Sequence, residues 1–213
     1  MKLFIDSADI NEIEQCVETG LIDGITTNPT LLRKAGRDPI EVYKDIEGFG
    51  IEDISMEVAG DYQDMLTDAA KLGGIFGTTA TIKLPMTKDG LLVCQDLAAG
   101  GVRTNVTLIF NAAQALLAAK AGATYISPFV GRIDDQGYAG TEVVRSCAEL
   151  LRRTDTQVLA ASIRTTQRVV RCFYSGADIV TMPPKVFWDM YSHVLTDQGL
   201  AIFDKDIMEI KAT

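Results

Sequence analysis

The chain alternates short runs of β-branched and aliphatic residues with segments whose apolar residues recur at helical spacing. The short runs predict eight strands, at 3–6, 24–29, 54–59, 80–84, 103–108, 124–130, 158–163 and 178–182. Ile10, Ile13 and Val17 share one helical face in the segment after the first strand. Capping boxes are predicted at Asp9 and at Asn111, and a loop is predicted over 131–140.

Eight strands, each followed by a helix, are typical of an α/β protein with a (β/α)₈ TIM barrel. A doubly wound open sheet uses the same alternation and is the alternative. No linker or composition break divides the chain, so we expect residues 1–213 to form a single domain. Pro183 and Pro184 then begin a C-terminal helical extension over about 184–213.

Polar residues share one alternation phase in most of the predicted strands. Side chains alternate faces along a strand, so the residues of one phase point the same way. In a barrel that direction is the lumen, because the outward face must be apolar to pack on helices. The lumen positions predicted in this way include Asp6, Thr26, Asn28, Ser55, Glu57, Thr81, Lys83, Asn105, Thr107, Tyr125, Ser127, Phe129, Ala160 and Ser162. Most lie toward the C-terminal strand ends, where barrel active sites are found.

Composition and charge narrow the range of possible functions and partners. Apolar residues make up 47% of the chain, which is enough for a full core, and the net charge of −9 argues against nucleic acid or an anionic membrane as a partner. The N-terminus shows no secretory leader, and no apolar run is long enough to span a bilayer. The four cysteines have no C-x-x-C spacing, so we expect free thiols and a cytoplasmic protein.

The residue inventory excludes several chemistries. His193 is the only histidine, which rules out a multi-histidine metal site and argues against a Ser-His-Asp triad. Neither a dinucleotide fingerprint nor a P-loop is present. We therefore expect no metal and no cofactor.

Lys83, Asp6 and Glu57 are the candidate catalytic residues. Enclosing a lysine disfavours its charged form, and the free amine can attack a ketone to give an iminium ion. That ion accepts electrons from a breaking carbon–carbon bond, while the carboxylates move protons. A purely structural buried ion pair is the alternative for Lys83.

Arg132 and Arg164 follow predicted strands, and Ser162 adds a hydroxyl donor beside them. Guanidinium groups bind phosphate through paired hydrogen bonds, so these residues indicate an anion site on an otherwise acidic chain. Solvated surface arginines are the alternative.

The sequence resembles the short form of the transaldolase family, which includes the fructose-6-phosphate aldolases. The matching segments are Phe4–Asp6, Gly24–Thr30, Ile82–Pro85, Asn105–Leu108, Ser127–Asp134 and Leu159–Thr165. They occur in the family order, and T-T-N-P and S-P-F-V-G-R-I-D are the most specific of them.

The resemblance implies a Schiff base on Lys83, acid–base catalysis by Asp6, and a water beside the imine served by Glu57 and Thr107. It implies that Asn28 and Asn105 bind sugar hydroxyls and that Arg132, Ser162 and Arg164 bind phosphate. Thr26, Ser127 and Phe129 would shape the substrate site. The implied partners are sugar phosphates, in the pentose phosphate pathway, and other copies of the chain in a pentamer or decamer.

Glu57, Phe129 and Asn105 fit the transaldolase branch, since the aldolases generally carry Gln and Tyr at the first two of these positions. The resemblance thus implies transfer of a dihydroxyacetone unit between sugar phosphates. A fructose-6-phosphate aldolase is the nearest alternative. A phosphate-binding barrel isomerase and a catalytically silent scaffold are more distant ones.

Overall fold

A computed structural model describes residues 1–212, in which eight parallel strands form a closed barrel in chain order. The barrel closes because β8 pairs with β1, with Leu3 opposite Val180 and Phe4 opposite Thr181. The predicted (β/α)₈ barrel is confirmed. The open sheet is excluded because every strand pairs with a neighbour on both sides.

The elements alternate as expected. The strands are β1 (Lys2–Asp6), β2 (Gly24–Thr26), β3 (Ile54–Glu57), β4 (Ala80–Pro85), β5 (Thr104–Ile109), β6 (Tyr125–Pro128), β7 (Gln157–Ala160) and β8 (Ile179–Met182). The helices are α1 (Ile10–Val17), α2 (Pro29–Ala35), α3 (Pro39–Gly48), α4 (Tyr62–Phe76), α5 (Lys88–Ala99), α6 (Ala112–Lys120), α7 (Val130–Asp135), α8 (Gly140–Leu151), α9 (Thr166–Tyr174), α10 (Pro184–Asp189) and α11 (Val194–Lys211).

Two of the predicted boundaries were wrong, and the C-terminal extension begins where it was predicted. The second strand ends at Thr26, because Asn28 caps a helix whose first residue is Pro29. Helix α7 occupies the first part of the predicted loop over 131–140. The predicted C-terminal extension comprises α10 and α11, and its last residue, Thr213, lies outside the described residues.

The apolar core lies between the strands and the surrounding helices. The outward strand residues Ile5, Ile25, Met56, Ile82 and Leu84 are completely buried, and all five have large apolar side chains. This confirms the alternation for β1 to β4 and leaves the opposite strand face to line the lumen. The four cysteines are free and buried in this core, as predicted.

The N-terminal end of the lumen is closed by a buried polar network. Asp53 accepts hydrogen bonds from the hydroxyls of Thr81 and Tyr125, each at 2.7 Å, and from Arg103 at 3.0 Å. Burial, and then the adjacent Asp53 carboxylate, raise the pKa of the Tyr125 hydroxyl. Because its partners satisfy this buried carboxylate, the network closes the barrel away from the mouth.

Phe4 forms the apolar floor above that network. Its ring meets the Tyr125 ring edge to face, with centroids 6.5 Å apart, and packs with Leu159 and Ile179. On the neighbouring strand, Gly24 lies opposite Phe4. A Cβ at Gly24 would lie only 2.5 Å from the Phe4 ring, so glycine makes room for the floor.

We therefore expect Gly24→Ala to destabilise the fold. The rigid phenyl ring is held by its neighbours, and overpacking of this kind costs about 1–3 kcal/mol in the free energy of unfolding. Urea denaturation of the variant measures this loss. Gly74→Ala is the control, because a Cβ at that helical position meets nothing within 4 Å and alanine favours a helix. Equal unfolding midpoints for Gly24→Ala and the parent protein would contradict the packing argument.

Candidate active site

Lys83 extends from β4 into the lumen, where its residue is only 4% exposed. Its Nζ donates a hydrogen bond to the Thr27 carbonyl at 2.8 Å and lies 3.0 Å from Glu57 Oε2 on β3. The register explains the second contact, since Glu57 lies directly opposite Lys83 in the parallel ladder. The ion pair considered as an alternative is thus present, and it adjoins a cavity at the barrel mouth.

That cavity has a volume of about 110 Å³ and is lined mainly by polar side chains. Its lining residues are Asp6, Thr26, Asn28, Lys83, Ser127, Phe129, Arg132, Ala161, Ser162 and Thr181. Eight of the twelve predicted site residues are among them. A larger cleft of about 470 Å³ lies beside α2, α3 and α4, and Glu57 lines that cleft instead. We place the chemistry in the smaller space because it contains both the lysine nitrogen and Asp6.

Asp6 lies in the same cavity at the C-terminal end of β1. The Thr26 hydroxyl donates a hydrogen bond to its Oδ1 at 2.8 Å. Burial raises the pKa of Asp6, while the positive charge of Lys83 and the bond from Thr26 act in the opposite direction. A raised pKa makes the Asp6 carboxylate a stronger base than an ordinary aspartate, which suits it to accepting and returning a proton.

Asn105 lies behind the cavity rather than on its surface, and it is completely buried. Its side-chain oxygen accepts a hydrogen bond from Ser127 at 2.7 Å, and its amide donates to Ser55 at 3.1 Å. Asn105 therefore orients the Ser127 hydroxyl, which does line the cavity. The alternation pattern predicted that Ser55 faces the lumen, but it assigned no role to this residue.

Thr107 is buried, and its hydroxyl has no protein hydrogen-bond partner. Among the described residues, it is the one buried side-chain polar atom in this position. The next residue, Leu108, has a φ of +62°, and the β5–β6 register shifts between Val106 and Ile109. Leucine adopts this left-handed conformation at a cost, and such strain concentrates at functional sites. The Thr107 hydroxyl keeps its full capacity to donate to and accept from a small molecule.

Asn28 has a double role that limits what it can offer a ligand. Its Oδ1 caps α2 by accepting a hydrogen bond from the Leu31 amide at 3.1 Å. The amide group of Asn28 then remains for the cavity, where it can only donate. This suits an oxygen-rich ligand.

The two candidate arginines differ in placement. The Arg132 guanidinium lies 4.9 Å from the centre of the Phe129 ring and lines the cavity with Ser162. Arg164 is half exposed and forms a two-point ion pair with Asp135, and it is not among the cavity-lining residues. Of the three residues predicted to bind an anion, Arg132 and Ser162 therefore share the cavity, whereas Arg164 lies outside its lining.

The lumen phase predicted for the seventh strand was wrong. Leu159 and Ala161 pack with the lumen cluster, whereas Ala160 faces the outer core. Ser162 still reaches the cavity, because the strand ends at Ala160 and Ser162 takes a left-handed conformation with φ of +59°. Alternation could not anticipate this, since it holds only where the strand continues.

Thr181 is a cavity residue that the sequence reasoning missed. It lies on β8 and is 2% exposed, and its hydroxyl is 2.7 Å from that of Thr26. The alternation signal was available, since Val180 and Met182 on either side are apolar and completely buried.

Residues 1–212 contain neither a metal-binding cluster nor a membrane-spanning helix. No group of three or more His, Cys, Asp or Glu side chains could hold a metal ion. No helix in this part of the chain combines the length and the apolar character needed to cross a membrane.

Comparisons with known proteins agree with this geometry. A sequence model described as Transaldolase/Fructose-6-phosphate aldolase matches residues 3–213. Proteins called probable transaldolases in Phenylobacterium zucineum and Caulobacter vibrioides are 46% and 47% identical to this chain over 209 residues, which cover 97% of it and 96% of each relative. A solved thiamine phosphate pyrophosphorylase from Pyrococcus furiosus superposes with a TM-score of 0.60 over 85% of both chains. At 13% identity, that likeness shows the shared fold alone.

Proposed function

The chain belongs to the transaldolase/fructose-6-phosphate aldolase family, and we propose that it is a class I, Schiff-base transaldolase. It would move a dihydroxyacetone unit from fructose 6-phosphate or sedoheptulose 7-phosphate to erythrose 4-phosphate or glyceraldehyde 3-phosphate. The observation that carries the proposal is a buried lysine 3.0 Å from Glu57, in a cavity shared with Asp6. As the family resemblance implies, the enzyme would act in the pentose phosphate pathway in the cytoplasm.

In the proposed mechanism, Lys83 first forms the imine. Glu57 lies close enough to take a proton from the ammonium, which leaves a neutral amine to attack the C2 ketone of the donor. The resulting carbinolamine loses water and becomes an iminium ion. The Thr107 hydroxyl has no protein partner among the described residues, and the Glu57 carboxylate adjoins Lys83 Nζ, which supports the roles expected for them in binding that water.

Bond cleavage then needs a base at the C4 hydroxyl, and Asp6 is that base. As it takes the hydroxyl proton, the C3–C4 electron pair moves toward the iminium nitrogen, and the aldose phosphate leaves. The remaining enamine adds to the acceptor aldehyde, and Asp6 returns the proton to the new hydroxyl. Water then hydrolyses the imine and regenerates the Lys83 amine. These steps use the carboxyl and lysine groups of the chain and no cofactor.

Substrate binding would use the donors around the cavity. Asn28 and Ser127 can donate to sugar hydroxyls, with Asn105 orienting Ser127. Arg132 and Ser162 support a phosphate site at the cavity wall. Arg164 can join them only if the phosphate replaces Asp135 as its partner.

Transfer is favoured over free aldol cleavage because Phe129, at the cavity wall, has no hydroxyl with which to activate water. We expect transfer from fructose 6-phosphate to erythrose 4-phosphate to exceed release of free dihydroxyacetone by at least about tenfold. Coupled assays with and without the acceptor measure the two rates. Phe129→Tyr is the test variant, and it should raise the release relative to transfer.

Equal rates with and without acceptor would favour the aldolase alternative. Turnover without any trapped imine would favour the isomerase alternative, and absence of turnover with every sugar phosphate would favour the scaffold.

We also propose that the protein is a homo-oligomer, a pentamer or decamer as the family resemblance implies. Helix α11 supports this, because none of its residues is buried in the chain. Its exposed large apolar residues are Val194, Leu195, Leu200, Ile202, Phe203, Ile207, Met208 and Ile210. We expect light scattering to give five or ten times the chain mass and Phe203→Asp to lower it. A monomeric parent protein would contradict this expectation.

A further inference from the structure

We propose that Thr181 is a positioning residue for the proton-accepting carboxylate, because its hydroxyl holds Thr26 as the donor to Asp6 Oδ1. This inference rests on the proposed function, in which Asp6 transfers the C4 hydroxyl proton. Thr181 would touch no reacting atom and would act through Thr26.

The geometry is a chain of two buried hydrogen bonds. Thr181 Oγ1 lies 2.7 Å from Thr26 Oγ1, which lies 2.8 Å from Asp6 Oδ1. Both threonines are 2% exposed. The strand β1 runs between them in the barrel wall, so their hydroxyls meet inside the lumen and bridge two strands that are not neighbours in the ladder.

The number of available protons fixes which group donates in each of these two hydrogen bonds. An ionised carboxylate can only accept, so Thr26 must give its single hydroxyl proton to Asp6. The 2.7 Å contact with Thr181 is then a hydrogen bond only if Thr181 donates to Thr26. Bonds arranged in this way polarise each other, so donation by Thr181 strengthens the bond that Thr26 makes to the carboxylate.

The arrangement also selects which carboxylate oxygen can react. Oδ1 is occupied by Thr26, whereas Oδ2 has no hydrogen bond to the described part of the chain. Oδ2 therefore remains for the substrate proton. A hydroxyl lost from Thr181 would leave the buried Thr26 oxygen without a donor and free its side chain to turn away from Asp6.

The main rival explanation is that Thr181 only fills space, and two substitutions separate the explanations. Thr181→Val keeps the shape of the side chain and removes the hydroxyl. Thr181→Ser keeps the hydroxyl and removes the methyl group. Loss of positioning should impair the valine variant more, whereas loss of packing should impair the serine variant more.

The test uses the full chain with fructose 6-phosphate and erythrose 4-phosphate. We expect Thr181→Val to lower kcat about threefold to tenfold, with the donor KM changed less than about twofold. The acid limb of the kcat profile should move up by about half a pH unit, because the carboxylate form of Asp6 loses support. Thr181→Ser should restore most of the rate and the parent pH profile. Borohydride trapping of the ketose on Lys83 should be unchanged in both variants.

A double-mutant cycle gives an independent measurement. Once Thr26→Val has removed the intermediate hydroxyl, adding Thr181→Val should cause no further loss of kcat. Independent, multiplying losses would overturn the inference, as would a parent-like kcat and pH profile in Thr181→Val or an equal loss in Thr181→Ser. If Thr181→Val does not fold, Thr181→Ala takes its place in the same comparison. Failure of the parent protein to trap ketose would instead refute the proposed function.

Discussion

Lys83→Ala will abolish borohydride-dependent labelling of the protein by fructose 6-phosphate and lower transfer by about 10⁴-fold or more. The reason is that the Lys83 amine is the group that becomes the imine, and among the described residues that line the cavity Lys83 is the one lysine. Mass spectrometry of the reduced adduct, with the modified residue located by peptide mapping, measures the labelling directly.

Lys88→Ala is the matched control, since Lys88 is an exposed lysine at the start of α5. Its labelling and rate should equal those of the parent protein. Labelling that persists in Lys83→Ala would assign the Schiff base to another residue. Because truncation leaves the partly buried Glu57 carboxylate without its cation, the melting temperature of Lys83→Ala should be compared with that of Lys83→Met, which fills the space better.

Asp6→Asn should have the second largest effect, with kcat lowered by about 10²–10⁴-fold while trapping of the ketose on Lys83 persists. Asparagine keeps the shape, and its oxygen can still accept the bond from Thr26, but it cannot take the C4 hydroxyl proton. The comparison of trapping with turnover therefore separates imine formation from bond cleavage. Loss of trapping along with turnover would show that Asp6 is needed for imine formation as well.

The pH dependence of the parent enzyme should also reflect the ionisation of Asp6. Burial raises the pKa of Asp6, and the base must be ionised to act, so the rate should fall as the pH drops through a pKa higher than that of an ordinary aspartate. This acid limb should be absent from the residual activity of Asp6→Asn. An unchanged limb in that variant would assign it to another residue.

The stability of Asp6→Asn should change in the opposite direction to its activity. A folded-state pKa above the unfolded value means that the ionised form costs stability, and the cost is complete once the pH has risen through the folded pKa. The neutral amide avoids this cost. We expect Asp6→Asn to melt no lower than the parent protein at neutral pH, which also shows that lost activity is not lost folding.

Much of the barrel was predictable from local pattern. The spacing of apolar runs gave all eight strands, and the period of two placed Lys83, Asp6 and Glu57 in the lumen. These are properties of adjacent residues on one strand, so they need no knowledge of the rest of the fold. The prediction failed where the strand conformation ended, as at Ser162, which reaches the cavity through a left-handed backbone.

The sequence by itself therefore determined which face of each strand is polar and which groups can supply amine and carboxylate chemistry. Only the tertiary structure decided which of those groups meet, because contact depends on barrel closure and on the stagger of strands far apart in the chain. Thr26 and Thr181 are 155 positions apart, and Asp53 and Tyr125 are 72 apart. The partner of Arg164 was likewise decided in space, where Asp135 on α7 is within reach of its guanidinium and forms the ion pair.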